Sequence, residues 1–266
     1  MFETPSHGQA IAREVAEGIT QMTVGDYEWT VGAPNFYIVV GQESAAIIDT
    51  GRGMAQEGQL LADTWRNLGS PKIDSMVVTH FHFDHRGGRS QFGQITESRS
   101  HGGTGKKAVN RSIDLGSRVL NVVATPGHTE DSLVVSDSVT GAIFTGDTII
   151  EADSVVVCAE MSDYINSLHL LKNMEPSMLL SGHGKPITDA AGKIDAYIDR
   201  TTRREIGMLR LIERGVRTID EMVEVYYGNH GFAGKMTARA HVKKLVDEGI
   251  VGFDADGKLI LVKKVG

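Results

Sequence analysis

Short runs of β-branched and aromatic residues, each ended by glycine, aspartate or threonine, dominate the first half of the chain. Such runs are typical of buried strands, and we predict three of them: NFYIVV (35–40), SAAIIDTG (44–51) and SMVVTH (75–80). Between the last two, apolar residues recur at helical spacing, which predicts a helix over roughly 54–68. The first third of the chain therefore reads as strands with one amphipathic helix.

The same arrangement of strands and a helix returns in the middle of the chain. Strands are predicted in RVLNVVATPGHT (118–129), SLVVSD (132–137), GAIFTGDTII (141–150) and SMLLSGHG (177–184), with a helix near 162–174. Strands followed by helices, twice over, predict two sheets with helices outside them.

From about residue 187 the pattern becomes helical. One or two helices are predicted up to Gly215, another begins with Thr218 and Glu221 at capping-box spacing, and a third covers KMTARAHVKKLVDEG. A hairpin with Asp256 and Gly257 at its turn ends the chain. Three helices and a hairpin are the order of a winged helix, so we expect a catalytic domain over 1–190 and a winged-helix-like domain over 191–266.

Composition places the chain among globular proteins. Of its 266 residues 41% are hydrophobic and 23% charged, and no apolar run approaches the roughly 18 residues needed to cross a bilayer. The start, MFETPSHGQA, lacks the basic and apolar regions of a secretory signal, and Cys158 is the single cysteine. We therefore expect a cytoplasmic protein without a membrane partner.

Charge is distributed unevenly along the chain. The net charge is −7, but residues 201–266 hold 12 Lys or Arg and 9 Asp or Glu, a net of +3, which leaves −10 for the first 200 residues. A solvated set of helix faces explains this difference most simply.

The string THFHFDHRGG (79–88) carries the strongest chemical signal. It follows an apolar strand and holds His80, His82, Asp84 and His85. Strand side chains alternate between faces, so the two histidines that are two residues apart can share one face. Imidazole and carboxylate are ligands that Zn²⁺ accepts, and burying four such groups without a metal or charge partner would cost several kcal/mol.

Three further candidates stand singly at predicted strand ends. His128 lies in ATPGHT, Asp147 in FTGDT and His183 in SGHG. A single residue of this kind is more often part of a turn, but an αβ scaffold presents functional groups at such junctions. Together with the 79–88 string, the three predict a metal centre.

These motifs, with Asp49 in IIDTG, resemble the metallo-β-lactamase superfamily in kind and order over about residues 15–190. The resemblance implies an α/β fold, an αββα sandwich, with metals at one edge between the sheets. It implies that one metal is held by His80, His82 and His128, a second by Asp84, His85 and His183, with Asp147 bridging them and Asp49 supporting the ligand loop.

Two divalent cations, zinc in the first place and manganese or iron as alternatives, would share a water and lower its pKa toward 7. The expected reaction is hydrolysis of a thioester or ester by the resulting bridging hydroxide, with Asp84 as the catalytic residue that orients the nucleophile and carries a proton. The substrate is expected to be a small molecule or a carrier-bound acyl group.

The C-terminal part is similar to the lactamase-beta-2-type branch, which includes single-strand endoribonucleases. That activity, with RNA as partner, is one alternative; a mononuclear iron persulfide dioxygenase of the same fold is another, and a DNA-binding regulator a third. The short Gly-rich segment 97–111 holds weaker candidates, His101, Lys106 and Lys107. A homo-oligomer is compatible with the sequence.

Overall fold

Two β-sheets form the centre of the molecule. The structure is a computed structural model that describes residues 6, 8–25, 32–97, 100–102, 110–228 and 231–262. The first sheet has six strands in chain order, antiparallel from the first to the fourth and parallel from there on: β1 (Ala10–Ala16), β2 (Ile19–Val24), β3 (Asn35–Val40), β4 (Ala45–Ile48), β5 (Ile73–Val78) and β6 (Ser100–Gly102).

The second sheet has five strands. They are β7 (Arg111–Asp114), β8 (Val119–Ala124), β9 (Leu133–Asp137), β10 (Ala142–Gly146) and β11 (Met178–Ser181), arranged in the order β11-β10-β9-β8-β7. Only the β10–β11 pair is parallel. A parallel pair needs a crossover, and here the chain between the two strands includes a helix, α4 (Met161–Asn173).

Alternation along the strands separates two layers of core. In β3, Tyr37 and Val39 face the second sheet and pack with Phe144, while Phe36 and Ile38 face the opposite way. That outer face is covered by α1 (Ala55–Asn67) and α3 (Arg89–Thr96), and the one-turn helix α2 (Phe83–Arg86) lies between these two helices in the chain. Because strand side chains point to alternate faces, a strand buried on both faces reads as continuously apolar.

The outer face of the second sheet is covered by α4 and by the long helix α5 (Ala190–Glu213). The layers are therefore helix, sheet, sheet and helix, which is the αββα sandwich expected from the sequence. No helix in the described part of the chain is long and apolar enough to cross a membrane.

The C-terminal part forms a smaller core of its own. It comprises the second half of α5, α6 (Ile219–Tyr227), α7 (Gly231–Asp247) and a hairpin of β12 (Val251–Phe253) and β13 (Leu259–Leu261). Helix α5 belongs to both cores, because Ile194 and Tyr197 pack on α4 whereas Met208 and Ile212 pack on α6 and α7. The two parts share a continuous helix, and the boundary at 190/191 stays a prediction.

Several local predictions for this region are confirmed. Thr218 Oγ1 accepts a hydrogen bond from the Glu221 amide, and the Glu221 carboxylate accepts one from the Thr218 amide, so the capping box is formed. The chain turns at Gly257 with φ of +73°. The third helix begins at Gly231, four residues before the predicted start. Four strands of the two sheets, β1, β2, β6 and β7, were not predicted, and the winged-helix assignment stays a prediction.

Candidate metal centre

All seven side chains predicted as ligands meet at one edge of the two sheets. Each of them follows a strand. The pair His80 and His82 comes after β5, with Asp84 and His85 on α2, while the other three follow β8, β10 and β11: His128, Asp147 and His183. Strand ends from both sheets converge here, so residues more than a hundred positions apart become neighbours.

The first triad consists of His80, His82 and His128. The Nε2 atom of His80 lies 3.0 Å from Nδ1 of His82, and Nε2 of His128 lies 2.9 Å from the same atom. Three imidazole nitrogens that face one another in this way form a nitrogen cluster of the kind that Zn²⁺ accepts.

Second contacts determine which nitrogens of the first triad carry a hydrogen. The Nδ1 atom of His128 lies 2.7 Å from the carbonyl oxygen of Val156. Because a carbonyl only accepts, Nδ1 must donate, and the lone pair of a neutral ring is left on Nε2. Burial lowers the pKa of His128 to about 4, and burial together with the neighbouring His85 lowers the pKa of His80 well below its ordinary value. Both rings are therefore neutral lone-pair donors at neutral pH.

The second triad consists of Asp84, His85 and His183. One Asp84 oxygen lies 3.7 Å from Nε2 of His85 and 3.4 Å from Nε2 of His183. The distal nitrogens are again held: Nδ1 of His85 donates to Asp49 at 2.8 Å, and Nδ1 of His183 donates to the carbonyl of Gly32 at 3.0 Å. Both Nε2 atoms thus point toward the carboxylate of Asp84.

Asp147 lies between the two triads. Its Oδ1 atom is 3.5 Å from Nε2 of His85, while Oδ2 is 3.5 Å from Nε2 of His183 and 3.8 Å from Nε2 of His128. Burial would raise the pKa of Asp147, but the positive charge of His183 and His85 lowers it well below its ordinary value. An ionised carboxylate therefore contacts donors of both triads.

The donor set fits divalent cations. Among the described residues, Nε2 of His85, Nε2 of His183 and Oδ1 of Asp147 are buried without a hydrogen-bond partner. Burial would lower the pKa of His85, but the carboxylates of Asp147 and Asp49 raise it well above its ordinary value. Leaving three polar atoms unpaired costs about 1–3 kcal/mol each, a cost that coordination of a cation removes.

Asp49 holds the ligand loop from behind. It is 1% exposed and accepts three hydrogen bonds, from the Thr79 amide at 2.7 Å, the Thr79 hydroxyl at 2.9 Å and Nδ1 of His85 at 2.8 Å. Since the Thr79 hydroxyl donates to Asp49, it accepts from Nδ1 of His80 at 3.1 Å. One carboxylate thereby orients a histidine in each triad, directly in the case of His85 and through Thr79 in the case of His80.

Close packing explains two glycines next to the ligands. A Cβ atom on Gly182 would meet the Asp147 carboxylate and stand 2.6 Å from Cε1 of His85. Gly146 has φ of +48°, and a Cβ atom there would lie 2.5 Å from the Thr79 hydroxyl. The glycines in TGD and SGHG are thus required by the approach of the two sheets.

Other contacts at the site were not predicted. Thr79, Val156 and Gly32 fix ligand tautomers, but nothing in their own sequence surroundings marks a backbone carbonyl or a lone threonine for this purpose. Tyr164 and Ser167 on α4 are buried and donate to the carbonyls of Thr148 and Pro126, so they support the loops beside the ligands.

The side chains of the weaker candidates in 97–111 lie outside the described residues. His101 is described only as backbone in β6, and Lys106 and Lys107 lie outside the described residues.

A comparison with known families identifies the fold. The sequence model of the metallo-beta-lactamase superfamily matches residues 29–99 and 109–183, which is more than half of the chain. The chain belongs to the metallo-beta-lactamase superfamily. The matched residues include Asp49 and all seven side chains of the two triads and the carboxylate between them. The chain is accordingly a hydrolase, with histidine and aspartate groups compatible with a metal site.

Curated relatives are similar over most of the chain. An atrochrysone carboxyl ACP thioesterase of Passalora fulva is 27% identical over 250 residues, covering 85% of this chain and 74% of that protein. A beta-lactamase-like protein 2 homolog of Drosophila melanogaster is 26% identical over 273 residues, covering 90% and 91% of the two chains.

Solved structures share the fold beyond the catalytic part. A beta-lactamase domain protein from Burkholderia ambifaria superposes with a TM-score of 0.74 at 16% identity over 97% of this chain and 96% of that one. A metallo-beta-lactamase family protein from Thermus thermophilus gives a TM-score of 0.73 at 17% identity, covering 93% and 100%. Matches of this extent include most of the C-terminal helices.

Proposed function

We propose that this hydrolase binds two divalent cations, in the first place zinc, and cleaves acyl thioesters or related esters. The observation that carries the proposal is the pair of donor triads with the Asp147 carboxylate between them. Nitrogen and oxygen donors of this kind favour zinc, with manganese and iron as alternatives.

In this proposal each triad holds one cation. His80, His82 and His128 supply three nitrogens to the first, and the second triad supplies two nitrogens and an oxygen to the other. Asp147 would contribute carboxylate oxygen to both, which its contacts of 3.5–3.8 Å with both triads support. Asp49 keeps the ligand nitrogens directed at the cations.

When bound, two such cations lower the pKa of a water toward 7 and polarise the substrate carbonyl. The chain's own residues position the reacting atoms. The Asp84 carboxylate is 16% exposed, slightly more open than the 12% exposed Asp147, and can therefore reach a water at the mouth of the site. Burial would raise the pKa of Asp84, but His183 and His85 lower it below its ordinary value. It is an acceptor at neutral pH and is suited to orient a water and hold its proton.

The choice of a thioester rests on relatives and on the donor set. A thioesterase-named relative is similar over 85% of the chain, and another over 73%. The complete second triad favours two cations over the single iron of a persulfide dioxygenase. The net charge of −10 on the first 200 residues disfavours a phosphate backbone near the centre. The proposed substrates are therefore small-molecule or carrier-bound acyl thioesters.

The test is a substrate screen combined with metal analysis. Protein loaded with zinc, manganese or iron is assayed on thioesters, lactones, phosphodiesters and single-stranded RNA, with Asp147→Ala as the key variant. Asp74→Ala serves as the matched control, because Asp74 is 45% exposed and lies near the start of β5, whereas the ligands follow its end. We expect two zinc ions per chain, thioester turnover, and loss of turnover in Asp147→Ala while the protein still folds.

Three results would contradict the proposal. Full thioester turnover in Asp147→Ala would remove the bridging carboxylate from the reaction. Cleavage of RNA alone would identify a nuclease, and one iron per chain with oxygen-dependent activity would identify a dioxygenase.

A further inference from the structure

A groove lies beside the contact between helix α7 and the catalytic part. Its volume is about 500 Å³, and one wall is formed by residues 157–160. The other wall is one face of α7 with the hairpin beyond it, and its lining is mostly apolar, including Val157, Met236, Ala240 and Val246. We call this cavity the interdomain groove.

The interdomain groove passes close to the loop that carries His128, because Glu130 of that loop lines the groove and the groove wall is hydrogen-bonded to the loop. The Cys158 amide donates to the carbonyl of His128 at 3.1 Å, and the Ala159 amide donates to the carbonyl of Gly127 at 3.0 Å. Val156, the residue before this wall, accepts the hydrogen bond from Nδ1 of His128. A single segment therefore holds a predicted metal ligand on one side and forms the groove wall on the other.

At its other end the groove is continuous with a second, cationic cavity of about 190 Å³. The two cavities share Ile219, Arg239 and Phe253 in their linings, and the second adds Arg217 and Lys235. Phe253, which lines both cavities, is 54% exposed. The mostly apolar groove thus joins a cavity lined by three cations and the single carboxylate of Asp220.

Arg239 is the cation best placed to accept an anion. Lys235 is paired with Asp220 at 2.5 Å, and Arg217 donates to the carbonyl of Ile212 at 2.9 Å. Arg239 is exposed, and within the described part of the chain it forms no ion pair or side-chain hydrogen bond. An anionic group that enters the second cavity would find its guanidinium available for a charge-assisted hydrogen bond.

The dimensions suit an extended chain. The face of α7 that lines the groove runs from Met236 to Val246, and ten residues of helix rise by about 15 Å. An occupant that fills the groove and reaches the second cavity is therefore long, largely apolar along its length, and negatively charged where it meets Arg239. A plain fatty acyl chain meets the first two conditions and fails the third.

We propose that the interdomain groove binds the 4′-phosphopantetheine arm of a carrier-bound acyl thioester, with its sulfur at the metal centre and its phosphate at Arg239. The inference rests on the proposed thioester hydrolysis. In that reaction the C–S bond breaks, a water-derived hydroxyl joins the acyl carbon, and the arm leaves as a thiol. The net charge of +3 on residues 201–266 favours an acidic carrier on this side of the molecule.

The first test compares two substrates that differ only in the phosphate. We expect kcat/KM for S-acetyl-4′-phosphopantetheine to exceed that for S-acetylpantetheine by about tenfold, because one charge-assisted hydrogen bond to the phosphate has a free energy of that size. Arg239→Ala should bring this ratio close to one, and Arg239→Lys should retain part of it. Arg66→Ala, an exposed arginine on α1 paired with Asp63, is the matched control and should keep the ratio.

The second test does not depend on turnover. Cys158 is the only cysteine and is an exposed residue in the groove wall, so its reaction with a maleimide reports occupancy in the metal-free protein. Burial raises the pKa of its thiol, so labelling is followed at mildly alkaline pH. The probe is S-methyl-4′-phosphopantetheine, which has no free thiol to consume the maleimide. It should slow labelling several-fold, and Arg239→Ala should abolish this protection.

The outcomes separate the two proposals. Hydrolysis of neither thioester by the metal-loaded protein would refute the proposed function. Hydrolysis of both at equal kcat/KM, or unchanged labelling of Cys158, would overturn the groove assignment alone. A coenzyme A thioester carries the same arm on a nucleotide, and a kcat/KM for it above that of the carrier-bound thioester would overturn the assignment to a carrier.

Discussion

Replacement of Asp49 by asparagine should weaken metal binding without removing any ligand. The carboxylate accepts three hydrogen bonds, two from Thr79 and one from Nδ1 of His85. An asparagine has one acceptor oxygen, so in either orientation its NH2 group faces a donor. If it faces the Thr79 amide, a buried N–H loses its partner, which costs about 1–3 kcal/mol. Asparagine also tolerates the left-handed φ of +57° at this position, so the backbone is not strained further.

In the other orientation the NH2 group faces His85, which must then move its hydrogen to Nε2, the atom directed at the second cation. Loss of such a supporting contact typically reduces metal affinity by about 10–100-fold, or about 1.4–2.8 kcal/mol. The second triad should lose more than the first, because Asp49 contacts His85 directly but reaches His80 only through Thr79.

The assay is competition for zinc with a chromophoric chelator, read as two successive affinities per chain. Asp63→Asn is the matched control, since Asp63 lies on the exposed face of α1. We expect the weaker of the two affinities to fall in Asp49→Asn and neither to change in Asp63→Asn. Wild-type affinity at both sites in Asp49→Asn would refute the argument that this carboxylate sets the tautomers of the ligands.

Packing and charge lead to three further predictions. Gly182→Ala places a methyl group against the bridging carboxylate, so metal content by mass spectrometry should fall; full content would contradict the close approach. Burial lowers the pKa of His241 in the folded protein despite the nearby Glu205, so below about pH 6.5 the unfolded state binds more protons and the free energy of unfolding falls. His241→Gln should therefore flatten the decline of Tm between about pH 7 and pH 5. Equal slopes in the variant and the wild type would contradict this. Arg118 pairs with Asp137 at 3.2 Å in the interior, so Arg118→Met should lower the free energy of unfolding in urea by about 3–5 kcal/mol. Much of this loss should be recovered when Asp137→Asn is added. No recovery would contradict the loss of an ion pair as its cause.

The sandwich could be predicted because its signals are local. The strand runs of 35–40 and 75–80 are apolar on both faces, and the helix between them shows helical spacing, so the order of elements follows from periodicity. The capping box at Thr218 and the glycine turn at 257 are likewise local, and both are present in the structure. The strands β1 and β2 were not predicted, because their alternation is mixed: β1 is partly exposed and β2 is buried throughout.

The sequence by itself determined which side chains are available to bind metal. Histidines and aspartates at strand ends, four of them within 80–85, identify the centre because such groups are too costly to bury without a partner. Only the tertiary structure decided which nitrogen of each ring faces the centre, because the carbonyls of Val156 and Gly32 come from segments remote in sequence. The interdomain groove likewise depends on tertiary packing, because it is formed where α7 lies against residues 157–160. The pattern of residues within one segment does not predict the space that remains between two segments when they pack.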